Sequence, residues 1–228
     1  MENLNSFNNS KSNKIVIYHG SDKLRGLPVF GVGKEYNDYG IGFYCTEDKS
    51  KAKTWSVNRN TDGFVNEYEL DLNGLKILKL DESNILQWLA ILAKHRFFDS
   101  DDFTNYFREK FVEKFLDVSV EDYDCIEGYR ADDSYFSIIK KFFSNTIGLE
   151  DLYELLHLGN LGKQFVLKSR KAFDRLKFIG YEKCSRDNYY IEYKNNDARA
   201  REMAKDIMRK SSTRLSFTSV RDLLKEEF

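Results

Sequence analysis

Tyr18-His19-Gly20-Ser21 closes a short β-branched run, and Tyr39-Gly40-Ile41-Gly42-Phe43-Tyr44 follows after a glycine-rich stretch. Tyr44 and Trp55 stand eleven residues apart. Two electron-rich rings can hold a flat cationic ring by stacking and cation–π attraction, at roughly 1–2 kcal/mol each. Glycines beside them let backbone come close to a ligand. Gln164 opens the run Lys163-Gln164-Phe165-Val166-Leu167. Its amide can hold a hydroxyl but cannot ionise, so it is neither a base nor a full counter-charge. Glu127, Asp132 and Asp133 are acids that could supply such a charge. Two adjacent acids repel, and shielding raises one pKa. Each residue also has an ordinary reading. A histidine after a strand is commonly a structural hydrogen-bonder, Tyr44 and Trp55 are natural core residues, and Asp132/Asp133 suit a helix N-cap.

Around these residues, Lys14 to Tyr18 predicts a strand ending at His19, and Gly26 to Tyr39, with the lone Pro28, predicts a loop. Thr46 caps a predicted helix carrying Ser50, Ala52 and Trp55. Gly63 to Leu72 and Leu75 to Leu80 alternate apolar and polar residues. The Asn73-Gly74 pair between them predicts a hairpin. Helices are predicted from a Ser83 cap to Phe98, over Asp101 to Leu116, up to Phe143, and over Leu149 to Leu156. Strands are predicted over Tyr123 to Tyr129, Lys163 to Leu167 and Leu176 to Tyr181, with a helical turn at Ser169 to Phe173. One more strand is expected at Asp187 to Tyr193, then a charged helix from Asp197 to Lys210 and a last helix capped by Thr218 or Ser219. Strands in two groups with helices between them argue for an α+β fold.

Composition narrows the classes. The 228 residues are 41% hydrophobic and 15% aromatic, enough for a substantial core. Lys and Arg number 36 against 37 Asp and Glu, so net charge gives no global signal for nucleic acid or an anionic membrane. Locally, Lys194 to Arg214 holds seven basic and three acidic residues. Cys45, Cys125 and Cys184 lack metal or disulfide spacing and read as reduced thiols in a cytoplasmic chain without a metal site. His95 and His157 fall on helical faces without a partner pattern. Residues 1–13, rich in Asn and Ser, read as a flexible lead, and no apolar run has membrane-spanning length.

The motifs resemble the diphtheria-toxin and poly(ADP-ribose) polymerase branch of ADP-ribosyltransferases. That branch carries His-Gly-Ser/Thr at the end of its first strand, then Gly-x-Gly-[Ile/Phe]-Tyr with a second aromatic eleven residues on. A closer resemblance, over Ile15 to Gly180, is to a bacterial family of ADP-ribosyltransferase-like proteins of unassigned function. Its marks are YHGS, DYGxGFYxT, the segment matched by Tyr123 to Asp133, and a Gln-starting strand before a basic Leu-Lys-Phe.

The resemblance implies a split antiparallel β-sheet fold with inserted helices over residues 14–181, and a C-terminal strand and helix extension over 182–228. It implies NAD as substrate. His19 and Gly20, with Ser21 beside them, would hold the dinucleotide, and Tyr44 and Trp55 would clamp nicotinamide. Gln164 stands where the polymerases carry glutamate and would fix the nicotinamide ribose, with Glu127 or Asp133 as base. Ala52 replaces a serine that touches the carboxamide. The expected activity is mono-ADP-ribosyl transfer to protein or nucleic acid, in a toxin or phage-defence setting with a neutralising partner protein. NAD glycohydrolysis and a non-catalytic NAD-, ADP-ribose- or protein-binding module remain alternatives. Arg199, Arg201, Lys205 and Arg209 form a candidate acceptor surface.

Overall fold

The computed structural model describes residues 13–96, 99–131, 133–158, 162–213 and 216–225. Most of the predicted N-terminal lead, Asp132 and the side chain of His157 lie outside the described residues. The chain is α+β, with two sheets stacked on one another and helices covering one side.

The first sheet has the order β1-β3-β7, all antiparallel: β1 (Lys14–Ser21), β3 (Gly63–Asp71) and β7 (Leu176–Cys184). The second has the order β2-β6-β5-β4: β2 (Phe43–Cys45), β6 (Lys163–Leu167), β5 (Cys125–Tyr129) and β4 (Ile77–Lys79). Ile17, Tyr68, Leu70 and Leu176 of the first sheet meet Phe43, Cys45, Cys125, Phe165 and Leu167 of the second in one buried cluster. The alternation predicted for these strands therefore turns their apolar sides towards each other. The four-stranded sheet is not wholly antiparallel, because β4 runs parallel to β5.

That pairing corrects the expected hairpin. Gly74 does take positive φ (69°) in a turn, as Asn-Gly predicts. The chain then leaves for the other sheet, and β4 pairs with β5 instead of β3. Asp124 makes this switch: its Oδ2 accepts the Lys76 N–H at 2.8 Å, and its own N–H donates to Lys76 O at 2.8 Å.

The outer face of the second sheet is covered by α2 (Ile85–His95), α3 (Asp102–Phe115) and α4 (Asp133–Phe143). Seven of the eleven residues of α2 are buried, from Ile85 to Ala93, which is the pattern of a core helix rather than a surface one. Two predicted caps move. Asp48, not Thr46, caps α1 (Lys49–Ser56), accepting from Ser50 N and Lys51 N. Asp81, not Ser83, caps the 3-10 turn before α2.

After α5 (Leu149–Leu158) and the short α6 (Arg170–Asp174), β7 continues to Cys184, so the expected boundary at 181/182 falls inside a strand. The expected strand at Asp187 to Tyr193 is helical. A single 28-residue helix, α7 (Arg186–Thr213), spans both predicted segments. It packs on α1, α4 and α5, with Ser211 Oγ donating to the buried Asp151 at 2.8 Å. The chain ends in α8 (Val220–Leu224), capped by Ser219. No helix is long and apolar enough to cross a membrane among the described residues.

Candidate active site

β1 extends past the predicted end and carries His19 and Gly20 into the sheet, paired with Asn66 and Val65 of β3. An isolated bridge then ties the two sheets together. Tyr18 N–H donates to Thr46 O at 2.8 Å, and Thr46 N–H returns to Tyr18 O at 2.9 Å. This bridge sets β1 beside β2. His19 Nδ1 consequently lies 2.7 Å from Tyr44 O, and its ring rests on Phe43 with centroids 4.6 Å apart. Burial lowers the His19 pKa, and Arg25 adds to the effect against the opposing Tyr44 carbonyl. The neutral ring donates from Nδ1 to that carbonyl, which leaves Nε2 as an acceptor for a ligand.

Gly20 is needed for packing against α1. A Cβ there would lie 2.2 Å from Ala52 O and 2.9 Å from Ser56 N. Ala52 is fully buried against it, so the residue that departs from the polymerase pattern faces the interior.

Tyr44 is fixed by its hydroxyl, which donates to Gly40 O at 2.7 Å and accepts the Tyr39 N–H at 3.0 Å. Gly40 has φ 71°, so the turn closed by this hydroxyl demands glycine. Lys168 locks the same turn from beneath. Its side chain is 1% exposed, and Nζ donates to Tyr39 O (2.8 Å), Ile41 O (2.6 Å) and Glu121 Oε1 (2.9 Å).

These elements enclose a cleft of about 780 Å³ whose walls include His19, Gly20, Tyr44, Trp55, Asp133 and Gln164. Four separate segments thus converge on one cavity: β1, β2, α1 and β6. The indole of Trp55 is already covered by a cation, with the Arg130 guanidinium carbon 4.4 Å from the ring centre. Arg25, Lys34, Arg96, Arg130 and Arg201 line the cleft with Asp38, Asp133 and Asp197, so its walls favour an anionic ligand.

Two predicted residues stay outside the lining. Ser21 donates to Lys23 O and faces Asn66. Glu127 turns to the other face of its sheet, 3.5 Å from both Lys79 and Lys163. Strand alternation is the reason: Gly128 pairs with Gln164, so its neighbour Glu127 points to the other face. Asp133 does reach the cleft rim, but its side chain is fully exposed and bonded to Arg96 at 2.9 Å. An acid so hydrated lacks the shielding that makes a carboxylate an effective base.

The buried acid of the cleft wall is Asp38, which residue types and spacing do not single out as a site residue. It is buried, its Oδ2 accepts the Ala131 N–H at 2.9 Å and the Gln164 Nε2–H at 2.8 Å, and its Oδ1 lies 3.4 Å from Arg96 Nη1. Burial raises its pKa, opposed by the Ala131 N–H, Arg96 and the Gln164 amide. A signal exists, since Asp38 is the one acid in the glycine-aromatic segment from Tyr36 to Tyr44.

Residues 15–178 match the model of a family described as a protein of unknown function, DUF3990. The chain belongs to that family. No curated protein and no solved structure matches it. The DUF3990 span contains His19, Asp38, Tyr44, Trp55, Arg130 and Gln164. The remaining cleft wall, Tyr193, Asp197 and Arg201, comes from α7 outside that span. Within α7, Arg201 pairs with Asp197 at 3.1 Å and Arg209 with Asp206 at 3.3 Å. Two of the four cations expected to form an acceptor surface are therefore partly neutralised by their own helix.

Proposed function

We propose that this chain binds NAD in the cleft and transfers ADP-ribose to a macromolecular acceptor. The observation that carries the reading is the convergence of His19, Tyr44, Trp55 and Gln164 on one cavity with cationic walls. In this reading the two stacked sheets are the split sheet of an ADP-ribosyltransferase.

Tyr44 and Trp55 hold the nicotinamide cation, and the ring displaces Arg130 from the indole. Arg130 and its neighbouring arginines then serve the pyrophosphate, for which a guanidinium fork is well shaped. Nε2 of His19 accepts a hydrogen bond from a ribose hydroxyl. Gln164 offers its carbonyl oxygen to the nicotinamide-ribose hydroxyl. The rate gain comes from holding the sugar while the neutral leaving group departs and charge develops on the ribose. The α7 residues at the rim are where an acceptor would meet the activated sugar. A chain with this activity would work in the cytoplasm, where NAD is plentiful, and its toxicity would call for a neutralising partner.

The test is to incubate the pure protein with NAD and follow nicotinamide release, with and without cell lysate. Release accompanied by label on protein or nucleic acid supports transfer. Release without label identifies a glycohydrolase. Neither release nor NAD binding ends the reading.

A further inference from the structure

The amide of Gln164 is not free to choose its orientation. Nε2 lies 2.8 Å from Asp38 Oδ2 and 3.2 Å from Tyr129 O. Both neighbours are acceptors, so the reversed amide would set oxygen against oxygen. The two amide hydrogens are thereby used inside the protein, and the carbonyl oxygen is what Gln164 has left to offer a ligand. A neutral carbonyl oxygen can accept a hydroxyl hydrogen, yet it carries no charge to set against a cation.

That charge stands one hydrogen bond behind it. Asp38 is 5% exposed, whereas the other two acids of the cleft wall are better hydrated: the Asp133 side chain lies open at the rim, and that of Asp197 is 31% exposed. An amide between an anion and a substrate is polarised so that its carbonyl oxygen becomes a stronger acceptor. Low local dielectric lets the anion act across that distance.

Resting on the reading of the cleft as an NAD site, we propose that Asp38 is its anion. Gln164 supplies the hydroxyl contact, and Asp38, acting through it, supplies the negative charge that the ribose cation needs. The two residues together do what one glutamate does in the polymerases. In the step served, the bond between ribose C1″ and the pyridinium nitrogen breaks and its electron pair leaves with neutral nicotinamide. The positive charge remains on the ribose until an acceptor lone pair forms the new bond, and the acceptor's proton passes to solvent. Asp38 keeps its protonation state throughout and is a positioning residue.

The experiment measures nicotinamide release, KM for NAD and melting temperature for Asp38→Asn, for Gln164→Ala and for the double variant. Asparagine is isosteric and keeps an oxygen for the Ala131 and Gln164 N–H groups. Asp38→Asn should lower kcat at least thirtyfold, with KM within threefold and melting close to the parent. In the Gln164→Ala background the relay is already gone, so adding Asp38→Asn should lower kcat less than threefold further. An Asp38 that merely braces the fold would lower kcat by the same factor with or without Gln164, and that result overturns the proposal. So does Asp38→Asn with undiminished kcat in a parent that releases nicotinamide, which leaves the NAD reading intact. A parent that neither binds nor cleaves NAD overturns both. Should Asp38→Asn fail to fold, Asp38→Ser, smaller and equally neutral, takes its place in the same comparison.

Discussion

The guanidinium of Arg130 lies over the ring of Trp55, 4.4 Å from its centre. A cation already occupies the face on which the proposed clamp would place nicotinamide. Trp55→Ala removes that face and should weaken NAD binding five- to thirtyfold, the equivalent of about 1–2 kcal/mol. Trp55→Phe should retain most of the affinity. Calorimetric titration of each variant checks this, and an alanine variant that binds like the parent removes Trp55 from the site.

Tyr44 carries two separable contributions. Its ring is the other proposed face of the clamp, and its hydroxyl closes the turn at Tyr39 and Gly40. Tyr44→Phe keeps the ring but loses both hydrogen bonds, so it should lose about 1–2 kcal/mol of stability with little change in NAD affinity. Tyr44→Ala should lose affinity as well, five- to thirtyfold. Denaturant titration and calorimetry on the same two proteins separate the effects. Equal affinity losses in both would mean that the turn, not the ring, binds NAD.

Lys168 is the buried fastener of that turn. Lys168→Met is close in volume but leaves the carbonyls of Tyr39 and Ile41 without their donor. The cost should be about 2–4 kcal/mol, mostly from desolvated carbonyls, because Glu121 is exposed enough to return to water. Urea unfolding measures it directly, and a loss under about 1 kcal/mol would show that the turn holds without the ammonium.

Much of this arrangement is legible in residue order. β6 spans Lys163–Leu167 as predicted around its apolar Phe165-Val166-Leu167, and the amphipathic patterns of α3 and α4 fall close to where the periodicity puts them. What misleads is information that local pattern does not carry. Asp187 to Tyr193 looks like a strand because Tyr and Ile are β-formers, yet Tyr189 and Tyr190 pack beside Ala52, Val57 and Cys184 on one side of a long helix. Leu75 to Leu80 looks like the return arm of a hairpin, and only contact with Asp124 and β5, some fifty residues on, diverts it. Asp38 stands in view as the first residue of the Asp-Tyr-Gly segment, but its role is not legible there because its partners Arg96, Ala131 and Gln164 are scattered along the chain. Glu127 is attractive by type alone, while the alternation of β5 turns it away from the cleft.

Acid should destabilise the fold through His95. Burial lowers its pKa from 6.5 to about 4, with Lys168 and Lys94 contributing, and its Nε2 is buried without a hydrogen-bond partner. The folded imidazole stays neutral where the unfolded one takes a proton. Stability therefore falls as pH drops from about 6.5 towards 4, by roughly 1–3 kcal/mol from this group. His95→Gln should flatten that part of the profile. Unfolding free energies at pH 7 and pH 5 test it, and an unchanged difference between the two pH values clears His95 of the effect.

Gln164→Glu would place a second carboxyl against the Oδ2 of Asp38, where the amide now donates at 2.8 Å. Two carboxylates that close cannot both ionise without strong repulsion, so the pair should retain one shared proton. The protonated form of the new carboxyl can donate to Asp38 as the amide does, which keeps the geometry and a single negative charge. The folded-state pKa of the pair is then raised above the unfolded carboxyl value near 4.3. A raised carboxyl pKa contributes stability that is present below the unfolded value and is lost as pH rises through the folded one. Relative to the parent, Gln164→Glu should therefore lose stability between pH 5 and pH 8, by about 1.4 kcal/mol for every tenfold rise in the pair's proton affinity. Nicotinamide release should survive at the acid end of that range and vary with pH in step with the shared proton. Parallel unfolding curves for parent and variant at both pH values would mean that the new carboxyl has turned away from Asp38, and the pairing that orients Gln164 would then be too weak to matter.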